Sequence, residues 1–189
     1  MGGNLTYMAN DSIENLSTEN RTFSPSPEFT AQANAQADLY LEADKDRLAF
    51  WEEQAKALVW EKKWDKTLEW ESPYAKWFVG GKLNATVSAL DRHVAEGHGG
   101  RTAFHFEGEP GDTQTISYAQ LLTDVSKASN ALTSIGIKAG DRVAIYMPLI
   151  PEAVVAMLAC ARIGAIHSVV FGGFSADALL SRIQDADAK

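Results

Sequence analysis

The stretch MLACARIGAIHSVVFGGFS, from Met157 to Ser175, decides the fold because it joins an apolar helix, a strand and a glycine pair. Its first part is apolar on every side, which is typical of a helix buried between the layers of a globular protein. AIHSVVF then predicts a buried strand, and Gly172 and Gly173 predict a tight turn behind it. The turn has two interpretations: the phosphate cradle of a small self-contained enzyme, or one wall of a site that other segments complete.

The segments on either side extend the alternation of strands and helices. IKAGDRVAIYM predicts a turn and a strand, and Pro151 suits the first turn of the helix that follows. Gly164 is typical of the left-handed residue that ends such a helix, and Ser175 of the N-cap of the next one. This βαβα order predicts an α/β fold with a parallel sheet. Few strands precede Lys189, and a parallel sheet needs both faces covered, so we expect this sheet to be incomplete.

A hairpin and a long helix are predicted before the parallel sheet. RTAFHFEGEPGDTQTIS predicts two short strands around a Glu-Pro-Gly-Asp turn, with His105 on the exposed strand face. Ser117 to Gln120 match a capping box that opens a helix ending at Gly136. The residues predicted to face inward along this helix are Leu121, Val125, Ala128, Leu132 and Ile135.

The chain before residue 99 is predicted to contain a flexible leader over residues 1–27 and a helical appendage over residues 28–98. The leader is rich in Ser, Thr and Asn and lacks apolar periodicity. From Phe29 to Val59 apolar residues recur at helical spacing, with Asp44 as a candidate N-cap.

The second half of the appendage combines another helix with a concentration of indole side chains. LNATVSALDRHVAEG predicts a helix that is capped by Asn84 and ends at Gly97. Indoles bury large areas when they pack, which favours a packed cluster over a stacking platform for a sugar or nucleobase. The tryptophans concerned are Trp51, Trp60, Trp64, Trp70 and Trp77.

Charge and cysteine content narrow the class of protein. A net charge of −8 and a pI near 5.0 argue against nucleic acid or an anionic membrane as a partner. The single cysteine, Cys160, cannot form an internal disulfide, and its apolar surroundings predict a buried side chain instead of a nucleophile. The N-terminus lacks the basic and apolar regions of a secretory signal, so we expect a cytoplasmic protein.

Motifs for independent catalysis do not occur in this sequence. It contains neither G-x-x-x-x-G-K-[ST] nor G-x-G-x-x-G, and its four histidines form no i,i+4 pair with a third ligand. Successive side chains on a helix point about 100° apart, so Asp91, Arg92 and His93 are predicted to make structural contacts and not a catalytic triplet. We therefore assign no catalytic residue and no metal ligand.

The run VAIYMPLIPEAVVAMLACARIGAIHSVVFGGFSADALLSRI resembles the corresponding run of the acetyl-CoA synthetases, the AMP-forming acetate–CoA ligases. FWEEQA, LVW, KWFVGGKLN, LDRHV and ISYAQL are similar to the N-terminal signature of that family, in the same order. The resemblance covers roughly Phe29 to Lys189, and it implies that residues 99–189 begin the large α/β AMP-binding domain. It departs from the family at Val87 and Ser88, where a Tyr-Asn pair is common.

The resemblance implies an adenylate-forming ligase with acetate, ATP and CoA as substrates and Mg²⁺ as the assisting ion. Acetate attacks the α-phosphate of ATP, and the CoA thiol then displaces AMP from the acetyl-adenylate. By similarity, Phe171, Gly172 and Gly173 lie beside the pantetheine arm of CoA, so the glycine turn is one wall of a CoA channel.

The resemblance also places the rest of the catalytic machinery after Lys189. The phosphate loop, the acyl pocket, the adenine and ribose segments and the catalytic lysine of the family all lie there. We therefore expect residues 1–189 to be an N-terminal fragment that depends on the rest of its own chain, is inactive by itself and binds a hydrophobic dye. Two alternatives stay open: a synthetase for propionate or another short acid, and a free-standing noncatalytic docking module.

Overall fold

The computed structural model describes residues 21–189, which fall into two units that divide after Arg47. Most of the predicted leader, residues 1–20, lies outside the described residues. Within the described part of the chain, no helix is both long enough and apolar enough to cross a bilayer.

The first unit contains two short helices, α1 (Pro27–Gln32) and α2 (Ala37–Lys45). The Ser26 hydroxyl accepts a hydrogen bond from the Phe29 N–H at 3.2 Å and caps α1. The prediction of Asp44 as an N-cap is wrong, since Asp44 lies near the end of α2. An acidic residue is typical of a helix start, but here helix α2 ends one residue later, at Lys45, and is followed by an extended Asp46.

The second unit begins with a third helix and an antiparallel hairpin that the sequence analysis did not predict. Helix α3 (Arg47–Ala55) begins at the unit boundary and ends four residues before Val59, so the helical pattern from Phe29 to Val59 is three helices and a loop. Strands β1 (Lys66–Glu71) and β2 (Tyr74–Val79) then pair with each other. The appendage is therefore helical at its two ends and β-structured between them.

The tryptophans divide between packed and exposed positions. Trp60 and Trp64 are half-buried and lie edge-to-face 4.9 Å apart, and both contact the Phe78 ring at the end of β2. The Trp60 indole also donates a hydrogen bond to the Ala55 carbonyl at 2.8 Å. The predicted packed cluster is confirmed for these two indoles and is wrong for Trp70, whose side chain is 64% exposed.

A helix with wide turns follows the hairpin, and we call it the wide helix. It consists of two π-helical segments, Val87–Asp91 and Val94–His98, with a left-handed Gly97 in the second. The Asn84 side chain accepts a hydrogen bond from the Thr86 N–H at 3.0 Å, which confirms the predicted cap. At the departure from the family pattern, the buried Ser88 hydroxyl accepts a hydrogen bond from the Val59 N–H at 3.0 Å.

The predicted hairpin and long helix are both present. Strands β3 (Thr102–Glu107) and β4 (Thr113–Ser117) pair antiparallel, and α4 (Tyr118–Ser134) follows directly. The Ser117 hydroxyl caps α4 by accepting from the Gln120 N–H, but the Gln120 side chain donates to Asp124, so the capping box is one-sided.

The βαβα segment predicted from the opening stretch is confirmed. It contains β5 (Arg142–Met147), α5 (Pro151–Arg162), β6 (Ile166–Phe171) and α6 (Ala176–Ala186). Strands β5 and β6 run parallel, with Val143 opposite His167 and Met147 opposite Phe171. The two strands therefore end at the same edge, and both chain turns that leave this edge lie side by side.

Helices α4 and α5 pack against each other between two apolar clusters. One cluster centres on Leu90, Leu121 and Val125, and the other on Ile137, Ile145, Cys160 and Ala165. The Cys160 side chain is fully buried, as predicted, and burial raises the pKa of its thiol.

Two predictions of burial are wrong. Ile135 is 76% exposed, because it is the C-cap that follows the last helical residue, Ser134, and leaves the inward face of α4. In β6 only Val170 is fully buried, whereas Val169 and Phe171 are 54% and 63% exposed. This strand pairs only with β5 among the described residues, so its apolar side chains are not enclosed by further strands.

One ion pair connects the wide helix to the end of α5. The Arg162 guanidinium donates two hydrogen bonds to the Asp91 carboxylate, at 2.7 and 2.9 Å. The Asn84 amide donates to the Arg162 carbonyl at 2.8 Å, so both the side chain and the backbone of Arg162 are held. The hydrogen bonds from Arg162 hold the pKa of Asp91 below its ordinary value. Asp91 therefore makes a structural contact, as predicted for residues 91–93.

We predict that Asp91→Asn lowers the free energy of unfolding by about 1.5–3 kcal/mol, because hydrogen bonds between charged groups are lost and Arg162 stays half-buried. Urea denaturation of the full chain measures the change. Glu71→Gln, at the exposed end of β1, is the matched control and should change stability by less than about 0.5 kcal/mol.

The difference between wild type and Asp91→Asn should also depend on pH. Because the pKa of Asp91 is lower in the folded state, its contribution is complete above the unfolded value of about 3.9 and disappears as the pH falls through the folded value. A difference that stays constant down to the lowest pH at which the chain folds contradicts this account of the ion pair.

Candidate functional site

A cleft of about 790 Å³ opens at the carboxyl ends of β5 and β6, and it is the candidate functional site. The turn between β3 and β4 forms one side, the loop from Met147 to the start of α5 forms the floor, and the glycine turn after β6 forms the other side. The carboxyl edge of a parallel sheet is where ligands bind in open α/β folds. The structure therefore places Phe171, Gly172 and Gly173 in the wall of this cleft.

Both glycines are packed too closely for a larger residue. A Cβ atom on Gly172 would lie 3.2 Å from the Met147 carbonyl oxygen, which belongs to the neighbouring strand. A Cβ atom on Gly173 would lie 2.6 Å from the Phe171 ring, so the ring would have to move. The glycine pair thus lets the wall of the cleft approach the end of β5 and keeps Phe171 in place.

The Tyr146 hydroxyl fixes the same turn from the opposite strand. It lies 3.0 Å from the Gly172 carbonyl oxygen and 2.9 Å from the Phe174 carbonyl oxygen, and its single proton is shared between these acceptors. The sequence analysis missed this residue, because in VAIYM it has the pattern of an ordinary strand residue. The signal that could have found it is a polar-tipped aromatic at the carboxyl end of a strand beside a glycine turn.

Two aromatic rings and a guanidinium extend the wall beyond the turn. Phe171 and Phe174 lie edge-to-face with centroids 5.9 Å apart. The Arg182 guanidinium stacks 4.7 Å from the centroid of Phe174, which connects α6 to the turn. Ser175 caps α6 as predicted, because its hydroxyl accepts from the Ala178 N–H at 3.3 Å.

The charge in the cleft is negative. Among the lining residues are four acidic side chains and no Lys, Arg or His. The acidic residues are Glu107, Glu109, Asp112 and Glu152. Phosphate groups need cationic or N–H donors, so these residues favour a neutral or cationic group in this part of the cleft. This lining does not favour a phosphate cradle, the first interpretation of the glycine turn.

The other candidate residues lie away from the cleft. Arg92 donates a hydrogen bond to the Ala57 carbonyl, and His93 packs on the Tyr118 ring with centroids 4.6 Å apart. His105 is exposed on β3, as predicted, and lies 3.2 Å from the Thr115 hydroxyl. The sequence analysis assigned no metal ligand, but the structure brings His93 close to two further potential ligands, Glu96 and His98.

We predict that Tyr146→Phe lowers the free energy of local opening of the glycine turn by about 0.5–1.5 kcal/mol, because the shared hydrogen bond is lost while the ring remains. Hydrogen–deuterium exchange of residues 172–175 should become faster. Tyr74→Phe, on the 75% exposed tyrosine of β2, is the matched control and should leave this exchange unchanged. Equal exchange in wild type and Tyr146→Phe contradicts the role of the hydroxyl.

Two family profiles match adjacent parts of the chain. Residues 36–89 match the acetyl-coenzyme A synthetase N-terminus, and residues 91–189 match the AMP-binding enzymes. The second match covers more than half of the chain. The chain therefore belongs to the AMP-binding enzyme family.

Curated relatives identify the branch of this family that the chain resembles. An acetyl-coenzyme A synthetase of Streptomyces avermitilis is 60% identical over 96% of this chain and 28% of its own length. The enzyme of the same name from Mycolicibacterium smegmatis is 57% identical over 98% of this chain and 20% of its own length. That of Deinococcus radiodurans is 50% identical over 95% of this chain and 28% of its own length. The resemblance stated from the sequence is confirmed, and the chain spans less than a third of the length of these relatives.

Proposed function

We propose that residues 1–189 are the N-terminal part of an acetate–CoA ligase of the AMP-forming type. The full enzyme converts acetate, ATP and CoA to acetyl-CoA, AMP and pyrophosphate through an acetyl-adenylate. The observation that carries this proposal is the 60% identity to a named acetyl-coenzyme A synthetase over 96% of the chain. Residues 28–98 form its N-terminal region and residues 99–189 begin its large α/β domain, and the enzyme acts in the cytoplasm.

The cleft is proposed to hold the pantetheine arm of CoA, with Phe171, Gly172 and Gly173 as its wall. This arm carries amides and a thiol but no charge, so it suits a lining with four carboxylates and closely packed glycines. The carboxylates disfavour the phosphates of ATP and of CoA, and we assign those groups, together with the Mg²⁺ that accompanies ATP, to other segments of the enzyme. Residues 1–189 thus contribute positioning surfaces and no reacting group.

The size of the native protein tests whether the chain acts as part of a longer enzyme. An antibody against residues 51–77 should detect a species far above 20.6 kDa in extracts of the source cells. A species of 20.6 kDa without a larger one contradicts the proposal. That result favours the alternative, a free-standing noncatalytic docking module.

The CoA role of the cleft is tested with Gly173→Ala in the full enzyme. The new methyl group displaces the Phe171 ring, so we expect kcat/KM for CoA to fall about ten-fold. Acetate-dependent exchange between ATP and pyrophosphate does not use CoA and should stay unchanged. The matched control is Gly100→Ala, because a Cβ atom there has nothing within 4 Å.

Two outcomes of these assays contradict different parts of the proposal. A Gly173→Ala enzyme that loses pyrophosphate exchange and thioester formation equally assigns the cleft to the adenylation step and removes its CoA role. A wild-type enzyme that exchanges pyrophosphate faster with propionate than with acetate favours the alternative substrate, a longer short-chain acid.

A further inference from the structure

Three potential metal ligands meet at the end of the wide helix, and none of them lines the cleft. One ligand atom from each of His93, Glu96 and His98 lies within 4.8 Å of the other two. The two imidazoles are half-buried, and the carboxylate is exposed. The Nδ1 atom of His98 lies 3.8 Å from a carboxylate oxygen of Glu96, which is longer than a hydrogen bond.

The backbone explains why two histidines five residues apart can share one point in space. On an ordinary α-helix this interval separates side chains by about 140°. Here the residues lie on π-helical turns, and Gly97 has a left-handed φ of 83° between Glu96 and His98. The chain leaves the helical path at this glycine, which brings His98 back toward His93.

The three groups have the chemistry of a transition-metal site. Imidazole nitrogens and a carboxylate oxygen form the His₂Glu set that holds Zn²⁺ with one position left for water or another ligand. Ligand atoms around a tetrahedral Zn²⁺ are about 3.3 Å apart, given metal–ligand distances near 2.0–2.1 Å. The side chains of Glu96 and His98 are 53% and 43% exposed, so they are free to rotate inward by the required distance.

The third ligand is held more firmly than the other two. The His93 ring packs against Tyr118, the first residue of α4, with a ring-centroid distance of 4.6 Å. This contact fixes the ring plane before any ion arrives and lowers the conformational entropy that binding must remove. An ion at this point binds side chains of the wide helix, one of which packs on the start of α4.

We infer that His93, Glu96 and His98 form a binding site for one divalent transition-metal ion, with Zn²⁺ as the ion that suits the ligand set. The site is independent of the proposed ligase activity, since none of its residues lines the cleft. Its occupancy stabilises the folded chain by mass action, because an unfolded chain does not hold the three groups together.

The test is a titration of the full chain, freed of any affinity tag and of bound metal, with ZnCl₂ and separately with CoCl₂. We expect one equivalent of Zn²⁺ to bind in calorimetry, Co²⁺ to give visible ligand-field absorption, and the thermal midpoint to rise with added Zn²⁺. His98→Ala and Glu96→Gln should each weaken binding at least about ten-fold, the loss seen even for changes around metal ligands.

The remaining histidines supply the matched controls. His105→Ala and His167→Ala remove an exposed imidazole from β3 and from β6 and should bind Zn²⁺ as the wild type does. His93→Ala also removes the contact with Tyr118, so the exposed Glu96 and His98 variants carry the test if it fails to fold. Wild-type protein that binds no Zn²⁺, or variants at Glu96 and His98 that bind it unchanged, overturns the inference.

Discussion

The bidentate ion pair between Arg162 and Asp91 is the constraint on which the placement of the wide helix against α5 depends. It ties the wide helix to the last turn of α5, the most apolar of the described helices. Asn84 holds the carbonyl of the same arginine, so the connection is made through side chain and backbone together. Because α5 begins at the cleft and ends at this pair, the ion pair and the packing of α5 on its neighbours together hold the helix that carries the cleft floor.

The cleft itself is shaped by steric and polar constraints that act on the same turn. Gly172 and Gly173 allow the backbone to approach β5 and the Phe171 ring, which no residue with a Cβ could do without displacing a neighbour. The Tyr146 hydroxyl then holds the turn in the place that the glycines make accessible. The two features act together, since the glycines allow the close approach and the hydrogen bonds of Tyr146 restrict the flexible turn that they create.

Sequence reasoning succeeded where local pattern and tertiary role agree. The parallel β5–α5–β6–α6 segment follows from apolar runs bounded by Pro151 at a helix start, Gly164 at a left-handed turn and Ser175 at an N-cap. It failed for β1 and β2. Their tryptophans were interpreted as a packed cluster, and the pairing of the two strands in a hairpin was not predicted. Tyr146 was missed for a related reason, since its acceptors lie 26 and 28 residues away and are not adjacent in the sequence.

The His93, Glu96 and His98 group illustrates the same limit from the opposite direction. On a regular α-helix, side chains five residues apart point about 140° away from each other, so the interval between His93 and His98 does not by itself predict a shared ion. The chain here follows a π-helical path with a left-handed Gly97, and the residue types in this stretch do not predict that path. The acidic cleft also depends on tertiary structure, because its four carboxylates come from the end of β3, the β3–β4 turn and α5, which only the fold brings together. Their shared negative potential, and not any single motif, is the reason why we propose an uncharged part of CoA beside the glycine turn and its phosphates elsewhere.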